Sequence, residues 1–167
     1  GFWINKGLDD TWVSILDKTC GILGTGSIGT ALAKYLKGFG CKNIGYKRTL
    51  VKQIPENFDE IVNNLDEVIE KSDIIYICLP LTTETKGMIN QEVLNKMKGK
   101  YLINVGRGHI IEEEALYNSL KDGILAGAAI DPWFQYPSSS LEPKFPSKYP
   151  LHLLPNVVLS PHIAGFT

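Results

Sequence analysis

The chain has 167 residues, 44% of them apolar, which is enough for one domain with a proper core. Seventeen basic against eighteen acidic residues leave a formal net charge of −1, and the only compact basic pair is Lys47-Arg48, so nucleic acid is excluded as the main partner. No apolar run is long enough for a membrane span, no signal peptide stands at the front, and Cys20, Cys41 and Cys78 are odd in number and lie singly, which supports neither a disulfide framework nor a metal site.

Reduced thiols in a cytoplasmic protein are therefore the expectation. Gly1 in place of Met fits a segment of a longer protein. Residues 1–18 carry Phe2, Trp3 and Trp12 without clean periodicity and read as a lead-in segment that packs against something else. From residue 19 to the end, apolar runs alternate with helical patterns, which predicts an α/β domain of Rossmann type: a doubly wound parallel sheet with helices on both faces. The strands are expected at 19–23, 42–46, 74–79, 101–104, 125–130 and 157–159, and the helices at 27–37, 65–71, 91–97 and 112–121. Most strands are continuous apolar runs, as strands buried on both faces should be. Asn90 can cap one helix start, Gly99 and Gly123 lie just past two helix ends, and Glu112-Glu113-Glu114 suits a positive N-terminus.

The first strand runs straight into Gly24-Thr25-Gly26-Ser27-Ile28-Gly29, the spacing G-x-G-x-x-G of a dinucleotide fingerprint. Gly24 permits the tight turn, Gly26 lets backbone approach a pyrophosphate, and Gly29 lets helix and strand pack closely. The phosphates then meet unpaired N–H groups at a helix N-terminus. At the end of the second strand, where an acidic side chain would bind the ribose 2′-hydroxyl of NAD, the chain has Lys47, Arg48 and Thr49. Two cations and a hydroxyl favour a 2′-phosphate, so NADP is preferred over NAD. Two readings stay open beside this one: a solvated surface turn, or an acid such as Glu56 or Asp59 swinging in.

Further along, Asn104-Val105-Gly106-Arg107-Gly108 places a cation between glycines at the carboxyl edge of the sheet, where ligands bind in open α/β folds. Arginine there suits a carboxylate and can polarise a neighbouring carbonyl; pairing with a surface acid is the blander alternative. The stretch 132–155 is proline-rich, and so long a loop inside a compact domain is either functional or disordered. His162 follows the last strand and so shares the edge with Arg107, which makes it the natural proton donor. His109 and His152 lack that placement and read as ordinary surface or loop residues.

Taken in order, these motifs resemble the nucleotide-binding domain of the D-2-hydroxyacid dehydrogenase family over about 16–167. They are the glycine turn, Leu79-Pro80-Leu81-Thr82 with Thr85, the Arg107 motif, Ala126-Gly127-Ala128-Ala129-Ile130-Asp131 and Ser160-Pro161-His162-Ile163-Ala164-Gly165. The resemblance implies hydride transfer between a nicotinamide and a 2-oxo or 2-hydroxy acid. Arg107 would bind the substrate carboxylate or carbonyl, and His162 would exchange a proton with the substrate oxygen. Asp131 would hold the nicotinamide carboxamide, although it could instead satisfy backbone groups at the strand end. Leu79, Pro80, Thr85, Val105, Gly106, Ala164 and Gly165 would line the cofactor cleft together with the glycine turn.

One position departs from the family pattern. The glutamate that usually pairs with the histidine is replaced by Tyr136, and formate-oxidising members carry glutamine there. A tyrosine hydroxyl can orient the imidazole but supplies no charge; an offset loop bringing Gln135 or Glu142 to the histidine is the other possibility. The resemblance also implies a substrate-binding domain outside this chain and a homodimer, so the chain by itself should bind cofactor and turn over little. A nucleotide-sensing module without catalysis, or a methyltransferase with a glycine turn, are the competing classes; the second leaves Arg107 and His162 without a purpose.

Overall fold

The computed structural model describes residues 13–49, 52–138 and 143–165. Seven strands form one sheet: β1 (Thr19–Leu23), β2 (Lys42–Tyr46), β3 (Glu60–Val62), β4 (Ile74–Ile77), β5 (Tyr101–Asn104), β6 (Gly127–Ile130) and β7 (Val157–Leu159). All pairings are parallel and the order is β3-β2-β1-β4-β5-β6-β7. The expected Rossmann-type sheet is therefore present. Its order reverses between β1 and β4, and parallel strands all end on the same edge, so that reversal opens a crevice at their carboxyl ends.

Helices α1 (Ser27–Gly38), α2 (Leu65–Lys71), α3 (Gln91–Asn95) and α4 (Glu113–Lys121) connect the strands. Leu23, Ile75, Ile77, Leu102 and Ile130 point into one core with Val68 of α2, Leu94 of α3 and Leu116 of α4. Cys20 and Ile22 point the other way, onto Ala33 and Leu36 of α1. This alternation along a doubly buried strand explains why the strands read as unbroken apolar runs.

Helix ends follow local chemistry. Asn90 Oδ1 accepts from the Val93 N–H at 3.0 Å, and Asn64, unforeseen, accepts from Asp66 and Glu67 N–H at 2.9 and 3.3 Å. Gly99 and Gly123 stop their segments with φ of +75° and +68°.

Several boundaries differ from expectation. Strand β3 has only three residues at the sheet edge, too few to show a period. Pairing of β4 with β5 stops at Ile77, so residues 78–79 already belong to the edge loop rather than to the strand. The stretch before β6 is not strand because the Leu125 N–H bonds to Ser119 O of α4 at 3.1 Å. Helix α3 ends at Asn95, with buried Met97 in the turn beyond it. Helix α4 begins at Glu113, one residue later than expected.

Of the lead-in segment, Phe2, Trp3 and Trp12 lie outside the described residues. Val13 and Leu16 are 58% exposed, while half-buried Ile15 packs against the α1 side of the core.

Candidate active site at the carboxyl edge of the sheet

The glycine turn is built as three different solutions to one problem. Gly24 takes φ +104°, and its N–H donates to Tyr46 O at 3.2 Å. A Cβ on Gly29 would run into Gly24 O and lie 3.2 Å from the Ile22 side chain, so only glycine lets α1 sit this close to β1. Gly26 is the N-cap of α1, exposed, and a Cβ there would meet nothing within 4 Å. Open space beside bare backbone at a helix start with no acidic residue in its first turn is what a pyrophosphate needs. On these grounds the turn fits a dinucleotide. Thr25 is half-buried, while Ser27 and Ile28 are exposed at the helix start.

Lys47, Arg48 and Thr49 stand exposed at the end of β2. Of the two acids considered for this corner, Asp59 is committed elsewhere. Its carboxylate accepts from Lys37 Nζ at 2.6 Å and from the Asn43 N–H at 2.7 Å. Burial pushes that carboxyl up, but the bonds from Lys37 and Asn43 outweigh it and hold the group below the usual range. Glu56 is exposed. Beyond β4, Leu79 is half-buried, and the loop from Pro80 to Thr85 is closed by the Thr85 hydroxyl donating to Pro80 O at 2.7 Å.

Arg107 hangs from a braced turn after β5. Buried Asn104 accepts from the Gly106 N–H at 3.0 Å and donates through Nδ2 to Arg107 O at 3.1 Å. Arg107 Nη1 donates to Gly106 O at 2.7 Å, and among the described residues the guanidinium makes no ion pair. The flanking glycines have a reason other than exposing the arginine. A Cβ on Gly106 would lie 2.7 Å from Leu79 O, and one on Gly108 would strike Trp133 O. Backbone crowding dictates both. Val105 is half-buried beside them.

Asp131, at the end of β6, accepts from Ser160 Oγ at 2.6 Å, Ile163 N–H at 2.9 Å and Ala164 N–H at 3.2 Å. Burial raises its carboxyl pKa, but these three donors and the nearby His162 outweigh that and leave it below the usual carboxylate value. The loop they hold includes His162 in the left-handed region at φ +59°, unusual for a residue with a side chain. Tyr136 Oη lies 2.9 Å from His162 Nδ1 and accepts from the Trp133 N–H at 2.8 Å. Trp133 Nε1 in turn donates to Ser160 O at 2.9 Å. It is Tyr136, not Gln135, that meets the imidazole; the backbone N–H of Gln135 donates to Pro146 O, and Glu142 lies outside the described residues. Ala164 and Gly165 are exposed at the far end of the loop.

Arg107, Asp131, Tyr136 and His162 thus lie at or after the ends of β5, β6 and β7, on the same edge as the glycine turn after β1 and the Lys47-Arg48 corner after β2. His109 packs edge-on against Phe134 at 6.0 Å, and His152 is exposed in a 3₁₀ turn at Leu151–Leu153. Sequence reasoning missed Asn104, Trp133 and Ser160 as brackets of the site. The Trp133–Ser160 bond spans 27 residues, so no local pattern could show it. Among the described residues, no cluster of His, Cys, Asp or Glu could hold a metal ion, and no helix is long and apolar enough to cross a membrane.

A parallel sheet with a glycine turn at its switch point defines a Rossmann-type dinucleotide-binding domain. Residues 1–164 match the family model "D-isomer specific 2-hydroxyacid dehydrogenase, NAD binding domain", and the chain belongs to that family. It is 44% identical over 154 residues to a glyoxylate reductase of Thermofilum pendens, covering 90% of this chain and 43% of that protein. It is also similar to the solved structure of D-2-hydroxyisocaproate dehydrogenase, with TM-score 0.79 and 36% identity, covering 93% of this chain and 48% of the other. An acyclic imino acid reductase solved in complex with NADPH and D-Arg gives TM-score 0.77 and 32% identity, covering 93% and 46%. The chain spans about half the length of the relatives it matches.

Proposed function

We propose that this chain is the cofactor half of an NADP-preferring 2-hydroxyacid dehydrogenase, with the substrate domain supplied by the rest of a longer protein that pairs as a homodimer. What supports the reading most is one observation: the glycine turn, the Arg107 turn and the Tyr136–His162 pair open on the same edge of one parallel sheet. Relatives bearing the name glyoxylate reductase make glyoxylate the first small 2-oxo acid to try.

The nicotinamide, when bound, supplies or accepts the hydride. Arg107 keeps one donor on Gly106 O, which leaves the rest of its guanidinium for a carboxylate and an adjacent carbonyl oxygen. His162 handles the proton. The Tyr136 oxygen accepts from Trp133 and can also accept from Nδ1–H of the imidazolium, which gives its Nε2 proton to the substrate oxygen during reduction. The neutral ring left behind keeps its proton on Nδ1, still held by the Tyr136 oxygen, and can take a proton back at Nε2 in the reverse direction. The hydroxyl therefore orients both protonation states but adds no charge to either. Asp131 keeps the loop that presents the ring in place, and Gly26 leaves room for the pyrophosphate.

The decisive experiment adds glyoxylate and other 2-oxo acids to the full-length protein with NADPH and follows nicotinamide absorbance, with its mass in solution reporting the pairing. Absence of turnover alongside tight NADPH binding would favour a sensing module. For the cofactor, Lys47→Asp combined with Arg48→Ala is expected to weaken NADPH binding by roughly tenfold or more and leave NADH within about threefold, since two charge-assisted contacts to the 2′-phosphate are lost. NADPH binding that ignores the double substitution refutes the preference.

Tyr136→Glu tests the proton pathway. A carboxylate beside the ring favours the imidazolium, the state that donates during carbonyl reduction, so the high-pH limb of the reduction profile should move upward by roughly one unit. An unchanged profile would mean that position 136 does not govern the histidine.

A further inference from the structure

The Lys47-Arg48 corner has a neighbour across the glycine turn. Sheet order sets β2, β1 and β4 side by side, so the loop after β4 stands opposite the loop after β2 with the Gly24 turn between them. Contact is close: a Cβ on Gly24 would lie 3.0 Å from Cys78 O and 3.2 Å from the Leu79 side chain. The β4 loop is stiffened from within. Thr85 Oγ1 donates to Pro80 O and accepts from the Thr82 N–H at 2.8 Å, and the Thr82 hydroxyl donates to Glu84 Oε2 at 2.7 Å. Glu84 is therefore a tethered carboxylate on an exposed loop. The Thr82 bond, then Glu84's own N–H, and also the attraction of Arg48 hold its carboxyl below the usual range against some desolvation. Arg48 and Glu84 stand on neighbouring loops that flank the Gly24 turn, and among the described residues they form no ion pair.

Resting on the NADP reading above, we infer that Glu84 tunes cofactor specificity beside Arg48: its tethered carboxylate, on the loop across the Gly24 turn, weakens the pull of the guanidinium on the 2′-phosphate of NADPH. A phosphate monoester carries roughly −1.5 to −2 charges at pH 7, so it is repelled by a carboxylate near the same cation. The uncharged ribose hydroxyl of NADH feels this far less. Glu84 accordingly weakens NADPH binding and narrows the gap between the two cofactors. Because both side chains are exposed and screened by salt, the effect is a few-fold.

A double-substitution cycle on this chain reads it directly. NADPH and NADH are titrated against the unaltered protein, Glu84→Gln, Arg48→Ala and the combination, following nicotinamide fluorescence. Glu84→Gln should tighten NADPH by roughly two- to fivefold, leave NADH unchanged, and lose its gain when Arg48 is absent. No change in NADPH binding, equal tightening of both cofactors, or a full gain without Arg48 overturns the inference. Two failures remain distinguishable. If Arg48→Ala leaves NADPH binding intact, the NADP reading falls and takes Glu84 with it; if Arg48→Ala weakens NADPH but Glu84→Gln does nothing, only the role of Glu84 falls.

Discussion

His162→Asn in the full-length protein is expected to lower kcat for 2-oxo acid reduction by roughly 10²–10⁴-fold, the range a positioned general acid supplies, with NADPH affinity within about twofold. Asparagine is the right replacement for a structural reason. His162 sits at φ +59°, a region that asparagine tolerates far better than most residues with a side chain. The three bonds that Asp131 makes to Ser160, Ile163 and Ala164 do not involve the imidazole, so the loop should survive the change. What disappears is a group that can take and give a proton near neutral pH. Steady-state kinetics and a cofactor titration on the same preparation check both halves. A variant retaining more than about a tenth of wild-type kcat would remove His162 from the proton transfer, because water or another side chain would then be doing its work.

Much of this edge was legible because its chemistry is local. The strand, turn and helix around Gly24, Gly26 and Gly29 occupy eleven consecutive positions from Thr19 to Gly29, and Gly29 meets its constraint from Gly24 and Ile22, close in sequence. Arg107 and His162 could be placed because every strand of a parallel sheet ends on the same side, so the residue after a strand is at the edge whatever the sheet order. What could not be read is whatever depends on two loops meeting. The need for glycine at 108 comes from the backbone of Trp133, and the stiffness of the His162 loop comes from Asp131 and Trp133, about thirty residues earlier. Strand β3 escaped because three residues carry no period, and the commitment of Asp59 to Lys37 is hidden because that bond crosses 22 positions. Tyr136 lies between these cases. Its place in a motif marked it, yet only the fold shows that one oxygen bonds both Trp133 and the imidazole.

Cofactor binding and folding make separable demands on the glycine turn, and Gly26→Ala against Gly29→Ala should expose them. At Gly29 an added methyl strikes the carbonyl of Gly24, which is backbone and cannot swing aside, so α1 must move off β1. Overpacking of this kind destabilises by about 1–3 kcal/mol. For a domain of this size that corresponds to a fall in Tm of roughly 3–10 °C, and the displaced helix start should lose NADPH as well. Gly26 differs in every respect. Its φ of −79° and ψ of −164° are open to any residue, and a methyl there meets nothing within 4 Å. Gly26→Ala should therefore lower Tm by no more than about 1–4 °C, since alanine is a poorer N-cap than glycine by roughly 0.5–1 kcal/mol. The same methyl stands where the pyrophosphate would approach the backbone, and NADPH and NADH should both bind roughly tenfold or more weakly, because that contact is common to them. Differential scanning fluorimetry with and without cofactor reads the two effects together. If Gly26→Ala binds both cofactors as tightly as the unaltered chain, the open space at the start of α1 is not the phosphate site.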